Sequence, residues 1–183
     1  MRTRRTGPRA AASTAAVLVV LSGSVVAGPP AARAQSPSGL AVSVPATASL
    51  GSAPVGSRTL SGALGPVTVS TTGGLVGSTS WTATVSTSAF TTGAGTAPER
   101  VEPAAVRYRS GAATAASGLS LSACTPGSAV VAVDLAAVRT AFSCGGVSLL
   151  TSTSVTWNPV VQVTVSDSNV AGTYTGTVVH SVA

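Results

Sequence analysis

Residues 156–183 read Thr-Trp-Asn-Pro-Val-Val-Gln-Val-Thr-Val-Ser-Asp-Ser-Asn-Val-Ala-Gly-Thr-Tyr-Thr-Gly-Thr-Val-Val-His-Ser-Val-Ala. Two runs rich in β-branched residues, 160–165 and 172–183, flank the turn-forming Ser-Asp-Ser-Asn at 166–169. Two such runs around a turn predict a hairpin of β-strands. We therefore expect the chain to end inside the last strand of a sheet.

The same pattern of residues extends upstream to Leu40, with short runs of Val, Thr, Leu and Ser between clusters of Gly, Pro and Ser. A turn about every ten residues predicts an all-β fold, here an immunoglobulin-like antiparallel β-sandwich. The predicted strands are 40–44, 47–50, 66–71, 79–88, 105–109, 118–122, 129–134, 147–156, 160–166 and 173–182. Segment 129–141 is the one helical candidate, and a strand or loop there stays equally open.

Period-2 alternation assigns an inner face to three of these strands. The residues on those inner faces are Trp81, Ala83 and Val85; Val161, Val163 and Val165; and Tyr174, Gly176, Val178, His180 and Val182.

The N-terminus has the pattern of a secretory signal peptide over residues 1–34. Four arginines within the first nine residues precede an apolar stretch at 15–21, and Ala32-Arg33-Ala34 matches an A-x-A cleavage site. The pattern predicts cleavage between Ala34 and Gln35, a short flexible lead-in at 35–39 and a single domain at 40–183. A membrane-spanning helix is the rival interpretation, but Ser, Gly and Pro interrupt the apolar run too early.

Removing the predicted leader changes the charge balance. The whole chain has a formal net charge of +6, but half of its ten arginines lie in the leader and it has no lysine. The remaining part carries five arginines against four acidic residues, a net charge of +1. Nucleic-acid binding requires a cluster of cations to neutralise phosphates, so that class is excluded.

Cys124 and Cys144 are the only cysteines, and both lie in the part predicted to be exported. An oxidising compartment favours a disulfide, which stabilises a loop of this length by roughly 3 kcal/mol. We expect the bridge to staple an insertion near 119–146. Free thiols and a zinc pair are the alternatives, although zinc would need two further ligands and the chain has one histidine.

A family resemblance is carried by Trp-Asn-Pro at 157–159, the alternating valine strand and Gly-Thr-Tyr-Thr-Gly-Thr at 172–177. This arrangement resembles the WxL-type surface cell-wall-binding domains of Gram-positive bacteria, and their actinobacterial relatives most. Segments 64–69, 80–85 and 101–108 fit the same pattern, so the resemblance spans most of 40–183. The literal Trp-x-Leu tripeptide is absent, and the corresponding sites read Trp-Thr-Ala at 81–83 and His-Ser-Val at 180–182.

The resemblance implies a non-enzymatic protein outside the cell that attaches non-covalently to peptidoglycan or an associated wall polymer, with other surface proteins as further possible partners. The alternative is a secreted structural or protein–protein interaction module without wall affinity. No membrane contact is expected after leader cleavage.

Five side chains are candidates for a ligand site. Trp81, Trp157 and Tyr174 could stack on glycan, or else be core residues, and Tyr174 could bond backbone at a strand corner. Arg107 and Arg109 flank Tyr108, so they point to one side of a strand and could grip wall phosphates or carboxylates. The alternative is a solvated face with Glu–Arg pairs.

Catalytic and metal chemistry find little support. His180 is the only histidine, no Gly-x-Ser-x-Gly segment occurs, and four acidic residues show no glycosidase pairing. The Asp-Ser-Asn at 167–169 offers too few oxygens for calcium and fits a turn. We therefore expect no enzyme activity, no metal and no cofactor.

Overall fold

The structure is a computed structural model, and it describes residues 16–22, 39–54, 56–72, 77–118, 124–148 and 152–183. Its strands are β1 (Ala16–Ser22), β2 (Gly39–Ser43), β3 (Thr47–Pro54), β4 (Arg58–Ala63), β5 (Val67–Thr72), β6 (Gly77–Thr87), β7 (Phe90–Thr91), β8 (Arg100–Val101), β9 (Val106–Arg109), β10 (Ala113–Ser117), β11 (Cys124–Pro126), β12 (Val133–Asp134), β13 (Arg139–Ser148), β14 (Ser152–Trp157), β15 (Val160–Val165), β16 (Thr173–Gly176) and β17 (Val178–Val182). Two 3₁₀ turns, Ala97–Glu99 and Pro103–Ala105, flank β8. The leader cleavage site and most of the lead-in lie outside the described residues.

The strands form four hydrogen-bonded sheets, which confirms the all-β sandwich. Their orders are β3-β1-β16-β7-β8, β10-β14-β5-β2, β11-β13-β6-β17 and β12-β9-β15-β4. One pairing departs from the antiparallel expectation: β1 runs parallel to β16, while it is antiparallel to β3. The apolar segment of the predicted leader thus lies between these two strands.

The buried hydrophobic side chains of the described residues form one cluster between the inner faces of the sheets. The alternating pattern assigned those faces correctly for β6 and β15: Trp81, Ala83 and Val85 are buried, as are the three inward valines of β15. Between the core residues, Thr82 and Thr164 are exposed. Threonine suits such positions because it favours extended backbone without presenting an apolar surface to water.

The predicted C-terminal hairpin is wrong. Strand β15 pairs with β4 and β9, so both of its edges are occupied by other strands. The predicted strand 173–182 is interrupted at Thr177, after which β16 and β17 belong to different sheets. The last residue is nevertheless paired, because the backbone of Ala183 exchanges two hydrogen bonds with Thr82.

Other predicted elements also need correction. Segment 129–141 contains bends, the short β12 and the start of β13 rather than a helix. The predicted strand 147–156 covers the end of β13 and most of β14, while β4 was not predicted at all. Most of predicted strand 118–122 lies outside the described residues.

The disulfide between Cys124 and Cys144 is confirmed. The two cysteines are register partners on β11 and β13, so the bridge ties the short β11 to a longer strand. Strand β13 lies in the predicted insertion, yet it pairs along β6 from Arg139 to Ser148 and so forms part of the sheet.

Gly176 permits a close approach between β16 and the core. A Cβ atom built on it would lie 2.7 Å from Cγ of Phe90, whose side chain is fully buried. Real Cβ contacts are essentially never that short, so any side chain at this position must displace the phenyl ring. By contrast, a Cβ atom on the exposed Gly145 would meet no atom within 4 Å.

We predict that Gly176→Ala lowers the free energy of unfolding by about 1–3 kcal/mol, the usual cost of overpacking a core. Gly145→Ala is the matched control and should change stability by less than about 1 kcal/mol. Urea unfolding of both variants, followed by tryptophan fluorescence, measures the difference. Equal stability of the two variants would contradict the proposed packing of Phe90 on the glycine backbone.

Candidate functional site

The three candidate aromatic residues face the core. Trp157 and Tyr174 have no exposed surface, and Trp81 is 4% exposed. The ring of Trp157 stacks on Phe142 at a centroid distance of 4.9 Å. The Tyr174 hydroxyl lies 2.8 Å from the carbonyl oxygen of Val170 and 3.1 Å from that of Pro98, so it bonds backbone. In this conformation none of these rings offers a face on which a glycan could stack.

A polar chain runs through the core at Tyr108. The indole Nε1 of Trp157 donates to the Tyr108 hydroxyl oxygen at 3.1 Å, and that oxygen lies 3.0 Å from Nε2 of His180. Nε2 of His180 is the one other described partner of this oxygen, so we assign the hydroxyl proton to that contact, which leaves the phenol O–H with an acceptor. This assignment makes His180 a neutral imidazole that carries its proton on Nδ1.

Burial keeps the two titratable side chains joined by this hydrogen bond, Tyr108 and His180, uncharged. Desolvation lowers the pKa of His180 to about 4 and raises the pKa of Tyr108 well above its usual value. The contact of His180 is therefore with a neutral phenol, and no described serine or carboxylate is bonded to its ring. The arrangement provides neither the activated nucleophile nor the orienting acid of a hydrolytic triad.

The depressed His180 pKa predicts acid sensitivity. The unfolded chain binds a proton on this imidazole below about pH 6.5, whereas the folded chain binds it only near pH 4. Stability contributed by the neutral form is present at pH 7 and is lost as the pH falls through this window, by about 2–3 kcal/mol at pH 4.5.

Equilibrium unfolding in urea at pH 7 and pH 4.5 tests this prediction, with His180→Gln as the comparison because its amide oxygen can still accept from Tyr108. The variant should lose much less stability than the unaltered protein over that interval. The pKa of Glu99 is lowered by its hydrogen bond to Thr96, and the pKa of Asp134 is lowered by its hydrogen bond to Arg139. The stability that these two carboxylates contribute is therefore lost at a more acidic pH than the stability contributed by His180. A wild-type pH dependence retained in His180→Gln would contradict this assignment.

Arg107 and Arg109 lie where the alternation placed them, on the outer face of β9. The intervening Tyr108 is fully buried, while Arg107 is exposed and Arg109 is half-buried. Neighbouring strands extend this surface: Gln162 lies opposite Arg107, and Ser61 lies opposite Gln162. The adjacent row pairs the hydroxyls of Thr59 and Thr164 at 3.1 Å. We call this surface the arginine face, and it comprises Thr59, Ser61, Arg107, Arg109, Gln162 and Thr164.

The acidic residues that could neutralise these two arginines are engaged elsewhere. Asp134 is the register partner of Arg107 on β12, but its carboxylate accepts from Nη2 of Arg139 at 3.0 and 3.2 Å. Glu102 forms an ion pair with Arg100. Among the described residues, Arg107 and Arg109 form no ion pair. The alternative interpretation, a solvated face on which glutamates pair with arginines, therefore does not describe these two residues.

The other two acids are bound to their local surroundings. The Glu99 carboxylate accepts from the hydroxyl and backbone N–H of Thr96 and from the N–H of Ala94. Asp167 accepts from the backbone N–H of Ser57. All four side-chain carboxylates of the protein therefore have partners, and the two guanidinium groups of the arginine face remain available to an anion.

The tripeptides 81–83 and 180–182 lie on the neighbouring antiparallel strands β6 and β17. They are opposite each other only at Ala83 and Val182, since the register partner of His180 is Val85. The inward positions of both tripeptides, at Trp81, Ala83, His180 and Val182, are buried or half-buried. His180 also borders a shallow, mainly apolar pocket beside Val44, Pro45 and Val178.

No cluster of three or more His, Cys, Asp or Glu side chains with metal-binding geometry occurs in the described ranges. Nor does any described helix have the length and hydropathy needed to cross a bilayer.

The chain matches no model of a known protein family. A search of curated proteins likewise finds no relative of significant similarity.

Proposed function

We propose that this protein is a secreted, non-enzymatic module that binds non-covalently to the Gram-positive cell wall, and that it does so through the arginine face. The observation that carries the proposal is the pair of guanidinium groups on one strand face without a carboxylate partner. Peptidoglycan stems present carboxylates, and associated wall polymers present phosphates or carboxylates. Both are ligands for the guanidinium fork.

The surroundings of the two arginines suit a polymer ligand. Hydroxyls of Thr59, Ser61 and Thr164 and the amide of Gln162 add donors and acceptors for sugar hydroxyls. The face is a regular sheet surface, so it can lie along an extended polymer rather than enclose a small molecule. Single exposed ion pairs contribute only about 0–1 kcal/mol, and a repeating ligand compensates by offering many equivalent contacts.

The wall contact is thus made by residues of the arginine face and not by the aromatic residues on which a glycan could stack. Trp81, Trp157 and Tyr174 stabilise the core in the described conformation, and wall contact through them would require the sandwich to open. The disulfide supports a location outside the cell, since such bonds persist in oxidising compartments.

We predict that Arg107→Gln/Arg109→Gln lowers binding to purified sacculi by about tenfold or more, the effect of losing two charge-assisted contacts. Co-sedimentation of the oxidised, leader-cleaved protein with sacculi measures the bound fraction, before and after associated polymers are stripped. Rising salt should weaken binding of the unaltered protein, since exposed charges are screened.

Arg58→Gln is the matched control for the single variants Arg107→Gln and Arg109→Gln, because it removes the same charge from an exposed arginine outside the arginine face that holds no described carboxylate. Its binding should remain within about twofold of wild type. Equal losses in Arg58→Gln and in the two single variants of the arginine face would indicate a nonspecific charge effect. A protein that stays in the supernatant under all conditions would exclude wall binding.

A further inference from the structure

An apolar segment stands at the edge of the arginine face. Residues 129–132 read Ala-Val-Val-Ala and lie between β11 and β12. Val130 is 79% exposed and Val131 is 73% exposed, so they are the two most exposed large apolar side chains of the described residues. We call residues 129–132 the valine arch. Single exposed apolar residues are common on protein surfaces, so what the valine arch binds depends on its neighbours.

Both ends of the valine arch are bound to the residues on either side of Arg109. At one end, the Ser128 hydroxyl accepts from the backbone N–H of Ser110 at 3.1 Å, and the Ser128 carbonyl oxygen accepts from the Ser110 hydroxyl at 2.9 Å. At the other end, Val133 is the register partner of Tyr108. The chain between these ends spans at most about 18 Å and its ends are about 7 Å apart, so its tip stands no more than about 8 Å from β9. The two exposed valines are therefore confined to the surroundings of Arg109.

Buried residues hold the valine arch in place. Ser128 is 7% exposed, and a Cβ atom built on the preceding Gly127 would lie 1.8 Å from the carbonyl oxygen of Thr140. Beyond the other end, Leu135 is 2% exposed and its backbone N–H donates to the carbonyl oxygen of Val106 at 2.9 Å. The apolar surface is thus presented at a fixed place beside the two guanidinium groups, which have no carboxylate partner among the described residues.

We propose that the valine arch and the two arginines together bind the peptide stem of peptidoglycan, through the carboxylate and the methyl group of its terminal alanine. This inference rests on the proposed function and names the wall component that the arginine face binds. A terminal alanine carries its carboxylate and its methyl group on the same carbon. The guanidinium fork binds the carboxylate, and the valines remove the methyl group from water.

Other ligands fit this combination less well. A polyol-phosphate polymer supplies anions for the arginines but no methyl group to cover the valines. A stable protein interface buries about 800 Å² on each side, and two valine side chains supply only a small part of that area. Interfacial binding to a bilayer uses a broad apolar face with many basic residues, whereas the valine arch has four apolar residues and the whole chain has no lysine.

The test is a titration of the oxidised full-length protein, followed by the chemical shifts of its backbone amides. The probe is diacetyl-L-lysyl-D-alanyl-D-alanine, which is the end of a peptide stem and has one free carboxylate. Two matched peptides each remove one feature. The C-terminal amide of the probe lacks the carboxylate, and diacetyl-L-lysyl-glycyl-glycine keeps the carboxylate but lacks both methyl groups.

We expect the probe to shift the amides of residues 106–109 and 128–133. Each matched peptide should bind about fivefold or more weakly, because one loses a charge-assisted contact and the other loses its apolar contact. Equal binding of the glycyl-glycine peptide would overturn the proposal, since the valines would then contribute nothing to recognition.

Variants assign the apolar contact to the valine arch. Val130→Ser/Val131→Ser should weaken probe binding about fivefold or more. The matched control is Val170→Ser/Val179→Ser, which alters two valines that are 40% and 47% exposed outside the valine arch, and its binding should stay within about twofold of wild type. Circular dichroism and a retained unfolding transition show that both variants are folded. Equal binding of the two double variants would overturn the proposal.

Sacculi separate this inference from the proposed function. Binding of the unaltered protein should survive the stripping of associated polymers and should be lost after an amidase has removed the peptide stems. Arginine-dependent binding that survives the amidase would overturn the stem as ligand and leave wall binding intact, whereas no binding to untreated sacculi would overturn both. Binding to phosphatidylglycerol vesicles that is lost in Val130→Ser/Val131→Ser would assign the valine arch to a membrane and would also overturn the proposal.

Discussion

The fold depends on the hydrogen bonds at the Tyr108 hydroxyl. Tyr108 lies on β9, Trp157 on β14 and His180 on β17, so one buried oxygen connects three of the four sheets. Each partner satisfies a polar atom that would otherwise be buried without a hydrogen bond, an omission that costs about 1–3 kcal/mol. These hydrogen bonds fix how the three sheets lie against one another, since apolar contacts alone are not directional.

This constraint accounts for the position of the arginine face. Because the Tyr108 side chain must enter the core, its neighbours Arg107 and Arg109 must leave it, on the other side of the same strand. The burial that lowers the pKa of His180 and the outward direction of the exposed Arg107 and the half-buried Arg109 are thus consequences of one strand orientation. On β9, a change in which side chains face the core would therefore also change which side chains face solvent.

Alternation in the sequence was sufficient to predict the faces of β6, β9 and β15, because a two-residue period depends only on local backbone geometry. Pairing was not predictable in the same way. Strand β4 has one large apolar residue, Leu60, and forms because β15 supplies its ladder. At Thr177 the chain passes from one sheet to another, because the strands on either side of this residue pair with strands that are distant in the sequence. The availability of Arg107 likewise depends on Arg139 binding Asp134, which neither composition nor spacing reveals.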